Sequence, residues 1–275
     1  MLNVEMKVLL DNDVLNKAEM VVSASRKKDI KWGDINEVHD ESGFIKKMPD
    51  TLQRQTEIDA LYTIGRLIRE GKLLAYTYNE LDFESFRRPI RLKPFNALNG
   101  CKISNCPSPV ERSKFRKTIN FDEHVSKGGK KDRKKGSGEI CDFNQIPFIS
   151  WLLSLENSHV ERLLAQSSNI GLSEFEVESL KELDWFKFVC NRFDTPENYP
   201  DAFHIWAAER NSIDIFLTME TKLVNTVNSI NNMKNGKYRV NTLVCNPSKL
   251  LEHIGVSELD EIPIKEGKFY PIYEL

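Results

Sequence analysis

The chain has 275 residues, of which 40% are hydrophobic and 29% are charged, and its formal net charge is −2. This is the composition of a globular protein, with a length that fits one large domain or two small ones. A charge so close to neutral argues neither for nor against nucleic-acid binding overall, so any such binding must come from local patches. No apolar run approaches the roughly 20 residues that a membrane span needs, and early acidic residues argue against a signal peptide. Five cysteines without disulfide-like regularity favour a reducing compartment, so we expect a soluble cytoplasmic protein that does not contact membranes.

The N-terminal segment predicts a buried strand over residues 6–10 that ends at an acidic pair, Asp11 and Asp13. A helix over residues 14–23 is expected to follow. An aspartate after a strand often serves only as the N-cap of the next helix, so this segment alone does not assign a metal role to Asp11. Residues 26–52 are polar and contain glycine and proline, which predicts irregular structure.

A second strand-and-helix unit carries two candidate glutamates. Apolar residues at helical spacing predict a helix over 56–69 that ends at Gly71. Residues 73–78 predict a strand, and Glu80 and Glu84 follow it four residues apart, on one face of a helix. Glu80 lies nearer the strand end, and the sequence alone does not decide between the two.

Residues 87–150 look like an insertion, and the proline-rich first part predicts little regular structure there. The basic, glycine-rich run at 127–138 predicts a mobile loop. Its cations either contact nucleic-acid phosphates or form a solvated linker tip: Lys130, Lys131, Arg133, Lys134 and Lys135. Cys101 and Cys106, with His124 and Cys141, have a spacing that is poor for a structural zinc site.

The C-terminal half predicts packed helices over 147–192 and then a buried helix that begins at Pro200. Asp201 lies in the first turn of that helix, where the helix dipole favours a carboxylate. A strand over 213–217 follows, with Glu220 three residues beyond it. A last strand over 240–245, a helix from Pro247 and an extended tail over 256–275 complete the chain.

These elements predict an α/β fold with a central parallel sheet, in which the carboxyl ends of neighbouring strands lie along one edge. Asp11, the Glu80/Glu84 pair and Glu220 each follow a different strand, and Asp201 begins the helix that leads into the last of those strands. Four acidic side chains gathered there would repel one another. A divalent cation with oxygen ligands removes that conflict, and Mg²⁺ or Mn²⁺ suits a site that stays partly hydrated.

Residues 201–223 resemble the C-terminal half of a PIN domain, the flap-endonuclease-like fold of metal-dependent nucleases, and the match runs without a gap. The residues that carry the resemblance are Asp201, Ala202, His204, Ala207, Ala208, Asp214, Phe216, Leu217, Thr218, Glu220, Lys222 and Leu223. Asp11 matches the aspartate that ends the first strand of the family. Glu220 departs from the pattern, because the family more often has aspartate there.

The resemblance implies a single PIN-like domain over residues 1–275, a three-layer α/β/α sandwich with a largely helical or irregular insertion. It also implies a metal-dependent nuclease, with RNA as the favoured substrate. The metal ligands would be Asp11, Glu80 or Glu84, Asp201 and Glu220, supported through hydrogen bonds by Asn12 and Thr218. The chain is longer than the small toxins of this family, so their role is not carried over. A homodimer and an antitoxin-like partner remain open, the second without support.

Two other functions fit parts of the sequence. The run from Asp11 to Leu15 loosely fits the nucleophile motif of haloacid-dehalogenase-like phosphatases, which leaves the match at residues 201–223 unexplained. A non-catalytic PIN-like scaffold that binds nucleic acid or a protein partner is the second alternative, with Glu220 as the mark of a lapsed site.

Overall fold

A computed structural model describes residues 5–85, 95–115, 145–233 and 238–272. Its central sheet has five parallel strands: β1 Met6–Leu10, β4 Leu73–Thr77, β5 Ile103–Asn105, β6 Ile215–Leu217 and β7 Leu243–Cys245. Their order across the sheet is β5-β4-β1-β6-β7. Counted along the chain this is the order 3-2-1-4-5 of a doubly wound sheet, which reverses direction between β1 and β6. The prediction of an α/β fold with a central parallel sheet is confirmed.

The strands are apolar on both faces because both faces of the sheet are covered. Within β1, Val8 and Leu10 point into one hydrophobic cluster and Leu9 points into the other, and all three are fully buried. A strand buried on both sides needs a continuous apolar run rather than an alternating one. This explains why β1 and β6 were recognisable in the sequence.

Helices cover the two faces. The described helices are α1 Asn12–Lys17, α2 Leu52–Arg69, α3 Asn79–Ser85, α4 Ile146–Ser154, α5 Asn157–Ala165, α6 Ser167–Ile170, α7 Glu174–Lys181, α8 Leu183–Cys190, α9 Tyr199–Arg210, α10 Thr221–Asn231 and α11 Pro247–His253. The buried faces of α2 and α11 belong to one cluster, and those of α4, α8, α9 and α10 belong to the other. This arrangement is compatible with a three-layer sandwich.

The layer that contains α9 is unusually aromatic. The rings of Phe186 and Trp206 stack with centroids 4.5 Å apart, and Phe203 meets both rings edge-on. Such pairs add to the free energy gained by burying their area. They fix α9 against α8, and so they fix the position of Asp201 at the start of α9.

The N-terminal region differs from its prediction in two places. The helix expected over residues 14–23 ends at Lys17, and residues 26–52, predicted to be irregular, instead form most of a long antiparallel hairpin. Its strands are β2 Val21–Trp32 and β3 Ile35–Lys46, and Gly33 adopts a positive φ of 61° in the turn. The predicted extended tail contributes β8 Phe269–Pro271, which pairs with β3.

Most of the hairpin stands clear of the core, which is why its sequence lacks the usual strand pattern. Trp32 at the tip is 85% exposed, and Ile35, its partner across the turn, is exposed as well. Charged residues lie on both faces of the strands, as in the consecutive run from Arg26 to Asp29, so neither face of the exposed part is apolar. The expectation of irregular structure was wrong because polarity was taken as a sign of loop.

The segment over 87–150, expected to be an insertion, contributes to the central sheet where it is described. It supplies the edge strand β5, and Arg69 of α2 donates hydrogen bonds to the carbonyls of Ala97 and Asn99. Gly65 permits this contact, because a Cβ there would lie 2.1 Å from the carbonyl oxygen of Ala97. The basic loop at 127–138 lies outside the described residues. No helix in the described ranges has the length and apolarity to cross a membrane.

Candidate functional site

The candidate site lies where β1 and β6 end side by side, at the reversal of strand order. Asp11 follows β1 directly, and its backbone N–H donates to the carbonyl of Leu217 at the end of β6, 3.0 Å away. Asp11 occupies the N-cap position of α1, but its side chain makes no capping hydrogen bond with the described backbone of that helix. The carboxylate is therefore directed to other partners.

Thr218 connects two of the predicted acidic residues. It follows β6 and is fully buried, and its Oγ1 donates to Oδ2 of Asp11 at 2.6 Å. The same oxygen accepts from the backbone N–H of Glu220 at 3.1 Å. Thr218 therefore lies beside Asp11 and Glu220, and its role in supporting a metal site stays a prediction.

Asp201 lies in the first turn of α9, and the charges of the other acids affect its pKa. Removal from water raises the pKa of Asp201 to about 7, and the negative charges of Glu220, Asp11 and Glu84 act in the same direction. The positive charge of His204 opposes this shift. The folded environment therefore favours the protonated form of Asp201, as expected for a carboxylate held among others.

Glu84 is fixed in place by three donors. Its Oε2 accepts from Nδ2 of Asn12 at 2.9 Å, and its Oε1 accepts from Nε2 of Gln145 at 3.1 Å. Nε2 of His204 lies 3.2 Å from the same Oε1. Asn12 was predicted to support the site, and it does contact one of the candidate glutamates.

His204 is the residue at this site whose role the sequence did not indicate, since a histidine in an apolar helix is more often a packing residue. Its Nδ1 lies 2.6 Å from the hydroxyl of Tyr78, which is also fully buried. Burial alone would lower the pKa of His204, but Glu84, Asp11 and Asp201 together raise it to about 9. A protonated His204 donates from both ring nitrogens, to Tyr78 and to Glu84. The sequence signal for His204 was its position three residues after Asp201, because residues three apart are neighbours on a helix surface.

The structure separates the two candidate glutamates. Oε1 of Glu80 accepts from Nε of Arg112 at 3.0 Å, and both side chains are almost completely buried. Burial raises the pKa of Glu80 although Arg112 acts against it. Glu80 thus forms a buried ion pair through Oε1, and its buried Oε2 has no hydrogen-bond partner among the described residues. Glu84 instead contacts Asn12 and His204 beside the other acids.

The acids raise one another's pKa values, but the described residues do not form a closed set of metal ligands. Burial raises the pKa of Asp11 and of Glu220, with added repulsion from Asp13 in both cases. Glu220 itself lies at the exposed rim of the site. In the described part of the chain, no group of three or more His, Cys, Asp or Glu side chains is arranged to hold a metal ion directly.

Two predicted groups of residues stand apart from this site. The five cations proposed for nucleic-acid binding, in the run 127–138, lie outside the described residues. Of the cysteines considered for zinc, Cys101 has its thiol 3.3 Å from the carbonyl oxygen of Gly65 and Cys106 is buried. His124 and Cys141 are also outside the described ranges.

Comparisons of this chain with protein-family models, with curated proteins and with solved structures find no match. The functional assignment therefore depends on the chemistry of the site.

Proposed function

We propose that the protein is a Mg²⁺- or Mn²⁺-dependent nuclease, with RNA as the favoured substrate, built on a PIN-like fold. The observation that carries the proposal is the gathering of Asp11, Glu84, Asp201 and Glu220 at the strand-order reversal, where ligands of open α/β sheets bind. Three of them have pKa values raised by burial and by one another. Carboxylates kept this close together are costly unless protons or cations neutralise them.

The donor set fits a hard divalent cation. All four groups are carboxylates, and oxygen ligands are those that Mg²⁺ and Mn²⁺ prefer. Oδ1 of Asn12 is a further buried oxygen that has no hydrogen-bond partner among the described residues. Because the described residues contain no group of three arranged to hold a metal ion directly, a cation here would have to keep several waters and contact some acids through them.

A cation bound here would lower the pKa of a coordinated water and stabilise negative charge on a phosphodiester. The chain's own residues supply orientation. Thr218 holds Asp11 by its hydroxyl, while Asn12, Gln145 and His204 hold Glu84. Ligands fixed in this way bind metal with less loss of freedom, and loss of such supporting contacts typically costs about 10- to 100-fold.

The direct test is cleavage of end-labelled single-stranded RNA and DNA with Mg²⁺ or Mn²⁺. We expect Asp11→Asn and Asp201→Asn each to reduce the cleavage rate by at least about 100-fold, since each removes a charged ligand. Both variants should remain folded, because each relieves repulsion between acids; thermal unfolding checks this. Cleavage that is undiminished in both variants would remove the proposed site.

A non-catalytic PIN-like scaffold is the second candidate. It is favoured by the absence of a direct three-ligand group in the described residues. A metal that binds only the folded state raises its melting temperature, so addition of Mn²⁺ separates the two candidates. No shift at millimolar Mn²⁺, together with no cleavage, would favour the scaffold.

A further inference from the structure

A cleft leads away from the acidic site along α10. Beside Asp201 and Glu220 it is narrow, with a volume of about 30 Å³, and is bordered by Arg192 and Lys222. It continues into a wider depression of about 550 Å³ that shares both cations. The loop after α8 therefore forms one wall and α10 the other, and the acids lie at one end.

Arg192 and Lys222 are the cations of this cleft, and both are exposed. Within the described ranges neither forms an ion pair. The guanidinium of Arg192 lies 4.9 Å from the ring centre of Phe188, which restricts where the side chain can go. One acid, Asp194, also borders the cleft.

The cleft on the other side of Glu220 differs in its charge pairing. It is bordered by Lys17 and Arg54, but Lys17 pairs with Asp13 at 2.6 Å and Arg54 lies 3.8 Å from Asp50. Those cations are already compensated. Among the described residues that border these two clefts, Arg192 and Lys222 are the cations that form no ion pair.

We propose that the cleft of Arg192 and Lys222 binds the phosphodiester backbone of a single-stranded nucleic acid and leads it to the acidic site. This inference rests on the proposed nuclease function. Unpaired cations attract phosphates by charge, and an arginine can also donate two hydrogen bonds to one phosphate. Next to carboxylates, which repel an anionic substrate, such cations are what allows the substrate to approach.

The lining of the cleft suits contacts to phosphates. Among the described residues, the wider part presents the short polar side chains of Asn225, Thr226 and Ser229 and no aromatic ring. Stacking of bases needs aromatic side chains, whereas polar side chains of this kind donate hydrogen bonds to phosphate oxygens as well as to base edges. The narrow part beside Asp201 encloses only about 30 Å³, so a strand would lie along its open mouth rather than inside it.

The test measures binding of an end-labelled single-stranded RNA of about 12 nucleotides by fluorescence anisotropy. It uses the whole chain with EDTA, so that no cleavage occurs. We expect Arg192→Ala and Lys222→Ala each to weaken binding roughly tenfold at low salt. Each should also reduce the slope of log K against log salt by about 0.7, the value for one phosphate contact on a single strand.

Lys72→Ala is the matched control. Lys72 is exposed and lies just before β4, at the opposite edge of the sheet from the acids. Its removal should leave both affinity and salt slope unchanged. Lys222→Arg should retain the salt slope, which a merely structural role of Lys222 would not predict.

Cleavage with Mn²⁺ separates failure of this inference from failure of the proposed function. We expect the double variant Arg192→Ala/Lys222→Ala to raise KM with a small effect on kcat. If the wild type cleaves RNA and the double variant keeps its KM and salt slope, the cleft assignment is overturned and the nuclease stands. If the wild type neither binds nor cleaves nucleic acid, both are overturned. Tighter binding of a duplex than of either strand alone would overturn the single-strand assignment.

Discussion

Asp201 and His204 lie one helical turn apart on α9, and the charge of each one shifts the pKa of the other. Burial and the neighbouring acids raise the pKa of Asp201 to about 7, and the same acids raise that of His204 to about 9. The metal-free site therefore holds more protons when folded than when unfolded. In the metal-free protein, bound protons reduce the negative charge of the acids, which is the effect that we assign to a bound cation.

This proton uptake predicts how the stability of the metal-free protein depends on pH. An acid with a raised folded pKa lowers stability as pH rises from its unfolded value, about 4, to its folded value, about 7. The stabilising contribution of His204 is complete below its unfolded pKa of 6.5 and is lost as pH rises towards 9. Both effects make the unfolding free energy fall as pH rises.

Denaturant unfolding in EDTA between about pH 5 and 9 measures this fall. Asp201→Asn should flatten the curve below about pH 7, because the asparagine does not titrate. With saturating Mn²⁺ the unfolding free energy of the wild type should no longer fall as pH rises, since the cation replaces the proton. A metal-free wild type whose stability rises across this range, with the same curve in the variant, would contradict the assignment.

Glu80 and Glu84 predict opposite consequences for stability and activity. Glu80→Gln removes the carboxylate that pairs with the buried Arg112 at 3.0 Å, and loss of one partner of such a pair costs about 3 kcal/mol. Glu84→Gln should leave the melting temperature within a few degrees of the wild type and reduce the rate of cleavage by at least about tenfold. Thermal unfolding and a cleavage assay on both variants check this. The reverse pattern would show that Glu80 is the ligand.

At the scale of residues, the sequence located the candidate site residues that lie next to a recognisable strand or helix. Asp11, Asp201 and Glu220 each stand next to an element whose apolar pattern marked its position. Glu80 and Glu84 were inseparable because their difference depends on Arg112 and Gln145, which are distant in the chain and lie within the segment expected to be an insertion. Side-chain partners across such separations leave no periodic signal.

At the scale of elements, the β2–β3 hairpin shows where hydrophobic periodicity fails. Strands are recognised by the face that they bury, and most of this hairpin buries neither face. Its strands are held by backbone pairing over the full twelve-residue register and by contacts such as Arg26 with Glu41. The strands β1, β4, β6 and β7 of the central sheet have the opposite character and were predicted within a few residues of their bounds.

This contrast predicts unequal effects of two tryptophan substitutions. Trp32→Ala at the exposed hairpin tip should change the unfolding free energy by no more than about 0.5 kcal/mol. Trp206→Ala removes a fully buried ring from α9 and should cost about 3–5 kcal/mol. Denaturant unfolding of both variants measures the difference. A large loss in Trp32→Ala would mean that the hairpin tip packs against the rest of the protein.

At the scale of the whole molecule, the doubly wound strand order is what brings the acids together. β1 and β6 are neighbours in the sheet although they are separated by most of the chain, so Asp11 and Thr218 meet across 207 positions. The sequence predicted this edge from the general rule for parallel sheets. It did not predict that part of residues 87–150 would supply the edge strand, because short strands interrupted by prolines resemble loops.

The central claim is that four carboxylates at this edge hold a divalent cation, and calorimetric titration of Mn²⁺ into the metal-free protein tests it most directly. The account predicts saturable binding in the wild type that is weakened at least about tenfold in Asp201→Asn, with Lys72→Ala as an unaffected control. Absence of saturable binding in the wild type, or equal affinity in Asp201→Asn, would contradict it.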